Sequence, residues 1–394
     1  MDLGFYDWDL FGIWRLGFGN YENVINESES FFLIADAPRL ASLLSQIASA
    51  DRVAIDTEAD SLHSYREKLC LLQISVPATL NREGFRGGYS DFIVDPLAGL
   101  DLDSLRRALE PREIVLHGAD YDLRMLRRGL NFVAHKIFDT TIAARLLGIR
   151  EFSLGALVKR YFGVELHKHS QKANWAKRPL PARMAEYAVN DVHYLLPLAE
   201  KLEADLDRCQ RCDWLRQSCE RAIEQATIAR VRNEDELWRV SGSGVLRGRA
   251  AAVLRALWQW REREAEIADR TPFHILQNEK LVNAAVSFDS GSMPDYKHFS
   301  HRRRQAFREA AQNALELPEA EWPVLRRRIG KRPTAETVRR TEELRRRRDR
   351  SAEELGLEPS FIAPRSTLEA IASDGARAVS LLVPWQRQLL AIQR

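Results

Sequence analysis

The sequence predicts an α/β domain, a sheet with helices on its faces, followed by all-helical units. Three observations carry this. Short β-rich runs come first: RVAIDT at 52–57, LCLLQIS at 69–75 and DFIV at 91–94. Strand and helix patterns then alternate between residues 102 and 128, the order of an open α/β sheet. Beyond about residue 137 the strand signal fades, and apolar residues recur at helical spacing from there on.

Taken in order, residues 1–30 are acidic and aromatic without periodicity, an extension with no assignable role. Phe31–Ile34 reads as a short strand and Pro38–Ala50 as an amphipathic helix. Three glycines between Arg82 and Ser90 signal a loop. Leu102–Glu110 reads as helix, Glu113–His117 as strand and Tyr121–Arg128 as helix. Thr140–Leu147, Ser153–Tyr161, Pro181–Leu206 and Asp213–Ala229 all carry apolar residues at helical spacing. The basic, proline-containing stretch His167–Pro181 interrupts them as a loop. The α/β domain is therefore placed at 31–230. Helices at Leu246–Ile267, Glu279–Val286 and Arg304–Leu315 fill a unit at 231–320. Pro318, Pro323 and Pro333 punctuate a linker to a second helical unit at 330–394, which opens on Ala335–Leu355.

Composition bounds the function class. At 394 residues the chain exceeds the roughly 100–200 residues of one domain, and its 45% hydrophobic and 29% charged residues describe a globular protein. No run approaches the roughly 18 apolar residues of a membrane span. Asp2, Asp7 and Asp9 stand where a signal peptide would be basic, so a cytoplasmic protein is expected, with no membrane partner. Four cysteines make no disulfide framework. Cys209, Cys212 and Cys219 lack a nearby fourth ligand for zinc and read as ordinary helix positions. Residues 301–350 hold 16 Arg or Lys against 8 Asp or Glu, a local +8 in a chain whose total is +3. Such a segment suits a polyanion. Its clusters at Arg302–Arg304 and Arg326–Arg328 equally suit a solvated helix surface paired with Glu309, Glu319 and Glu321. No protein partner is inferable.

The chemistry begins at Asp56-Thr57-Glu58, at the end of an apolar strand. Residues two apart on a strand share a face, so the two carboxylates converge, and hard oxygen donors suit Mg²⁺ or Mn²⁺. The run His117-Gly118-Ala119-Asp120-Tyr121-Asp122-Leu123 turns from a second strand into a helix, at the sheet edge where open α/β folds bind ligands. In Tyr187-Ala188-Val189-Asn190-Asp191 the tyrosine and the acid lie four apart on one helix face. Each run alone is unremarkable.

Together, in this order, they resemble motifs I, II and III of the DEDD exonuclease superfamily. Tyr187 stands four positions before the motif III acid and Glu186 stands where the other subgroup has histidine, which marks the tyrosine subgroup. LCLLQIS, FDTTIAA at 138–144, and the loop 168–180 with Asn174-Trp175 and Arg178-Pro179-Leu180 are similar to ribonuclease D within it. Asn174 departs from the Asp expected there. Residues 254–281 resemble a helicase-and-ribonuclease-D C-terminal (HRDC) domain, and 335–390 a second, more divergent one. The resemblance implies a ribonuclease H-like domain with a mixed sheet flanked by helices, ahead of all-α HRDC domains. It implies a 3′→5′ exoribonuclease acting on tRNA precursors and small structured RNAs through two divalent metal ions. Asp56 is expected to bridge the ions, Glu58 and Asp191 to complete the water-activating side, Asp122 to help hold the other ion, and Tyr187 to orient the attacking water. Asp122 is chosen over Asp120 because the motif's acid directly precedes the leucine of the helix, and Asp120 reads as a first-turn residue. His117, Lys168, Gln171, Trp175 and Arg178 are candidate substrate contacts; His117 also reads as a structural strand-end residue, and Trp175 equally as a packing residue. A DNA exonuclease with the same carboxylates, or a non-catalytic nucleic-acid-binding protein, are the alternatives. All four acids are present, which weighs against the second.

Overall fold

The computed structural model describes residues 33–78, 88–166, 172–228, 236–324 and 333–392. The first unit is built on a six-stranded sheet: β1 (Leu33–Ile34), β2 (Arg52–Ala59), β3 (Leu69–Pro77), β4 (Tyr89–Val94), β5 (Glu113–Leu116) and β6 (Lys136–Asp139). The spatial order is β1-β4-β3-β2-β5-β6. β3 runs antiparallel to both its neighbours, and the remaining pairs are parallel. This is the mixed sheet expected. Eight of the nine residues of β3 are buried, as a central strand covered on both faces requires.

Helices flank the sheet: α1 (Ala37–Ala48), α2 (Asp103–Leu109), α3 (Asp120–Leu130), α4 (Thr140–Leu146), α5 (Leu154–Phe162), α6 (Ala182–His193), α7 (Leu195–Arg208) and α8 (Cys212–Thr227). Two differences from the sequence reading have physical causes. β6 was not anticipated, because only Ile137 and Phe138 of its four residues are apolar; its pairing with β5 fixes it. The single helix expected at Pro181–Leu206 breaks at Tyr194. Pro197 lacks the N–H that would bond the His193 carbonyl, so the chain restarts as α7.

The tail is helical. α9 (Gly248–Ile267), α10 (Pro272–Ile275), α11 (Asn278–Asp289) and α12 (His301–Leu315) close on a core of Trp260, Phe288, Phe299 and Phe307. α13 (Ala335–Leu355), α14 (Pro359–Ile362), α15 (Arg365–Ser373), α16 (Arg377–Leu381) and α17 (Pro384–Leu389) surround Leu344, Leu368, Ile371 and Leu382. Both tail units touch the first. Asp269 accepts from the Tyr65 N–H at 3.1 Å, and Glu266 pairs with Arg66 at 2.7 Å. Trp385 stacks on Trp214 of α8 with ring centroids 5.0 Å apart, and its indole N–H donates to Ser218 at 3.0 Å.

Among the described residues of the basic segment, Arg302, Arg303, Arg304 and Arg345, Arg346, Arg347 and Arg348 are ion-paired. Arg302 and Arg303 both reach buried Glu264 at 2.9 Å, and Arg304 reaches Asp295 at 2.6 Å. These partners differ from the expected Glu309, Glu319 and Glu321: α12 packs against α9, which turns Arg302 and Arg303 inward onto Glu264 and away from their sequence neighbours. Arg326–Arg328 lie outside the described residues.

Candidate active site

Strand alternation places Asp56 and Glu58 on the same face of β2, opposite Gln73 and Leu71 of β3. α6 lies across β3, β4 and β2 and brings Asp191 to them. Carboxylate oxygens of Asp56, Glu58 and Asp191 stand within 4.8 Å of one another, the sole such group of potential metal ligands among the described residues. Asp122 is outside this triangle but adjoins it. Its carboxylate is buried and accepts from the Thr57 hydroxyl at 2.6 Å, and its charge is the largest raising influence on Asp56 after burial. Asp120, by contrast, is exposed, in the first turn of α3, and pairs with Arg124.

Four acids this close resist ionising together. Burial, reinforced by Asp122, Asp191 and Glu58, holds Asp56 far above the usual carboxylate range. Burial first, then Asp191 and Asp122, pushes Glu58 up to about 9. Burial lifts Asp191 to about 7 against the opposing hydrogen bond of Tyr187, and Asp122 to about 6 against that of Thr57. Among the described residues no lysine or arginine pairs with any of the four. An all-oxygen donor set with surplus negative charge fits hard divalent cations.

A consequence for stability follows. A carboxyl group whose pKa is higher in the folded chain favours folding fully below its ordinary value of 4.5, and that contribution is lost as pH rises toward about 9. In EDTA, Glu58→Gln is therefore expected to melt several degrees above wild type at pH 8, with the gap closing below about pH 4.5. Melting curves across that range check it; a gap independent of pH would contradict the crowding of these acids.

Tyr187 sits one turn before Asp191 on α6, its hydroxyl within hydrogen-bonding reach of that carboxylate. Burial and the neighbouring acids raise its pKa above the ordinary 10, so the phenol stays protonated. Its ring leans on Trp175, centroids 6.0 Å apart.

The candidate substrate contacts fare differently. Trp175 is 1% exposed and packs under Tyr187, so it supports the site from behind and does not meet solvent. Arg178 is committed to protein: both Asp95 oxygens at 2.6 Å, with the Cys70 and Trp175 carbonyls at 2.9 and 2.8 Å. It pins the loop before α6. In both cases a loop that reads as exposed and polar folds back over the sheet edge. His117 bonds through Nδ1 to the Thr140 hydroxyl at 2.8 Å, while that hydroxyl donates to the Leu116 carbonyl, so Nδ1 carries the proton. Burial lowers its pKa, leaving a neutral ring at the strand end. Lys168 and Gln171 lie outside the described residues.

Two positioning residues escaped the sequence reading. Thr57, between the motif I acids, holds Asp122. Asp139, in the FDT segment, accepts from the Gly118 and Ala119 amides at 3.1 and 2.8 Å and from Thr141 and Ile142 at 2.8 and 3.2 Å. It thereby fixes the turn into α3, where Gly118 takes a φ of 79°. An aspartate directly before a helical run is a capping signature that could have exposed it.

The sheet order and the acidic cluster are accompanied by matches to known proteins. Residues 31–207 match the family described as 3′–5′ exonuclease, and residues 250–288 match the HRDC domain. Ribonuclease D of Sphingobium indicum is 33% identical over 258 residues, 64% of this chain and 63% of that protein. Ribonuclease D of Nitrobacter hamburgensis is 28% identical over 370 residues, covering 91% and 92% of the two chains. The crystal structure of Escherichia coli RNase D shares the fold, with a TM-score of 0.65, 22% identity and coverage of 91% and 96%. Residues 31–207 thus match a 3′–5′ exonuclease domain and residues 250–288 an HRDC domain, and relatives similar to the chain are named ribonuclease D. It spans 63% of the length of the Sphingobium relative.

Proposed function

We propose that the chain is a metal-dependent 3′→5′ exoribonuclease that releases 5′-mononucleotides. The observation that carries this reading is the triangle of Asp56, Glu58 and Asp191, with Asp122 beside it and the Tyr187 hydroxyl against it. Divalent ions bound there, Mg²⁺ or Mn²⁺, supply a Lewis acid for the scissile phosphate and acidify an attacking water. Asp56, Glu58 and Asp191 hold one side of that centre, and Asp122, aimed by Thr57, supports the other. Tyr187 is too weak an acid to act as a base near neutral pH, so its O–H orients the water. Asp139 and Arg178 keep the helices carrying Asp122 and Asp191 in place.

Ribonuclease D relatives point to RNA as the substrate, and 3′ maturation of tRNA precursors and other small structured RNAs in the cytoplasm is the role this suggests. The second tail unit is read as a divergent HRDC domain at 330–394. It repeats the order of the first: a long helix, then a four-residue helix opening on proline, then a further helix packed on the long one. Digestion of RNA and DNA oligonucleotides of identical sequence tests the substrate class. Shortening of the RNA at least tenfold faster is expected from a ribonuclease; equal rates would favour a general 3′ exonuclease.

A further inference from the structure

One strongly buried polar group beside the carboxylates has no role in the scheme above. Gln73 lies directly opposite Asp56 in the β2–β3 ladder, so both side chains point to the face covered by α6, with Cβ atoms about 4.5–5.5 Å apart. Gln73 is fully buried, and neither its amide oxygen nor its amide nitrogen has a partner. Among the described residues it is the one carboxamide with both polar atoms buried and unpaired. Two positions along β3 on the same face, the buried Ser75 hydroxyl is also unpaired. Ser75 in turn faces Asp91 of β4, whose Oδ1 is unpaired while its other oxygen holds His193 Nδ1 at 2.6 Å. His193 ends α6, two residues beyond Asp191. Unpaired polar atoms thus run along β3 and onto β4, between the strand acid of the site and the end of the helix that supplies the other.

Buried donors and acceptors left without partners are costly, and a continuous row of them is the environment in which proteins retain internal water. We propose that Gln73 is a positioning residue: with Ser75 it holds buried water that fixes the Asp56 carboxylate and, through Asp91 and His193, ties it to the helix bearing Asp191. Gln73 can donate to a carboxylate through its NH₂ and accept through its C=O, so it would serve an ionised, cation-binding Asp56 without competing for the cation. Outer partners of this kind set the orientation of metal-binding side chains. The inference rests on the reading of Asp56 and Asp191 as metal ligands.

Gln73→Met keeps length and volume and removes both polar atoms. Its ion-free melting temperature is expected to stay close to that of wild type, because the packing volume is kept and the bonds given up are to buried water. Its Mn²⁺ affinity, measured by calorimetry and by the Mn²⁺-induced rise in melting temperature, should weaken by about 10–100-fold. With RNA at saturating Mn²⁺, kcat should fall while KM holds. Ser75→Ala should weaken Mn²⁺ binding in the same direction, and the double variant should be no weaker than Gln73→Met alone, since both act through the same water. Wild-type Mn²⁺ affinity in Gln73→Met, or additive losses in the double variant, would overturn the proposal while leaving the metal site standing. Should Gln73→Met fail to fold, unchanged Mn²⁺ affinity in Ser75→Ala overturns it. A wild-type chain that does not bind Mn²⁺ at all removes the metal site and this inference together.

Discussion

Asp56→Ala is expected to lower RNA hydrolysis by roughly 10³-fold or more, the scale on which positioned charge stabilises a transition state. The fold should survive. Asp56 is one of four crowded carboxylates, and removing it relieves repulsion on Asp122, Asp191 and Glu58 without opening a packed apolar core. Ion-free melting should therefore stay level or rise, while the stabilisation given by Mg²⁺ or Mn²⁺ shrinks. Rates on a 3′-tailed RNA, with circular dichroism of the same preparation, check both halves. Near-wild-type turnover in a folded Asp56→Ala chain would remove Asp56 from the metal centre.

Tyr187→Phe isolates a single oxygen. The ring keeps its contact with Trp175, so α6 and Asp191 should not shift. Turnover is expected to fall by roughly 10–1,000-fold, the range for one positioned catalytic group, with KM for RNA nearly unchanged. The hydroxyl also restrains the pKa of Asp191, which burial lifts to about 7 even with that hydrogen bond in place. In the variant Asp191 loses that restraint, so its ionisation moves to higher pH and the acid limb of the rate profile should move with it. A pH–rate profile of Tyr187→Phe coincident with wild type at full turnover would assign water orientation to another group.

The acids of the site were legible because they sit on regular elements. Two-residue spacing on a strand fixes Asp56 and Glu58 to one face, and four-residue spacing on a helix fixes Tyr187 and Asp191, whatever the loops do. Choosing Asp122 over Asp120 needed the motif as well as the spacing, and Thr57 supplies the physical reason by holding Asp122 inside while Asp120 turns to Arg124. The places of Trp175 and Arg178 could not be read from the sequence, because a loop carries no periodicity. Whether such side chains face substrate or core depends on partners far away in sequence, here Tyr187 and Asp95. The short β6 and the break before α7 were missed for similar reasons. One depends on pairing with β5, and the other on a single proline inside an otherwise unbroken apolar pattern.

The most direct measurement is a time course on a 5′-labelled, 3′-tailed RNA with Mg²⁺, Mn²⁺ or EDTA, resolved to single nucleotides. A ladder that shortens one nucleotide at a time with either ion, and intact RNA in EDTA, is the expected result. Shortening that persists in EDTA, or internal fragments ahead of any ladder, would contradict metal-dependent hydrolysis from the 3′ end.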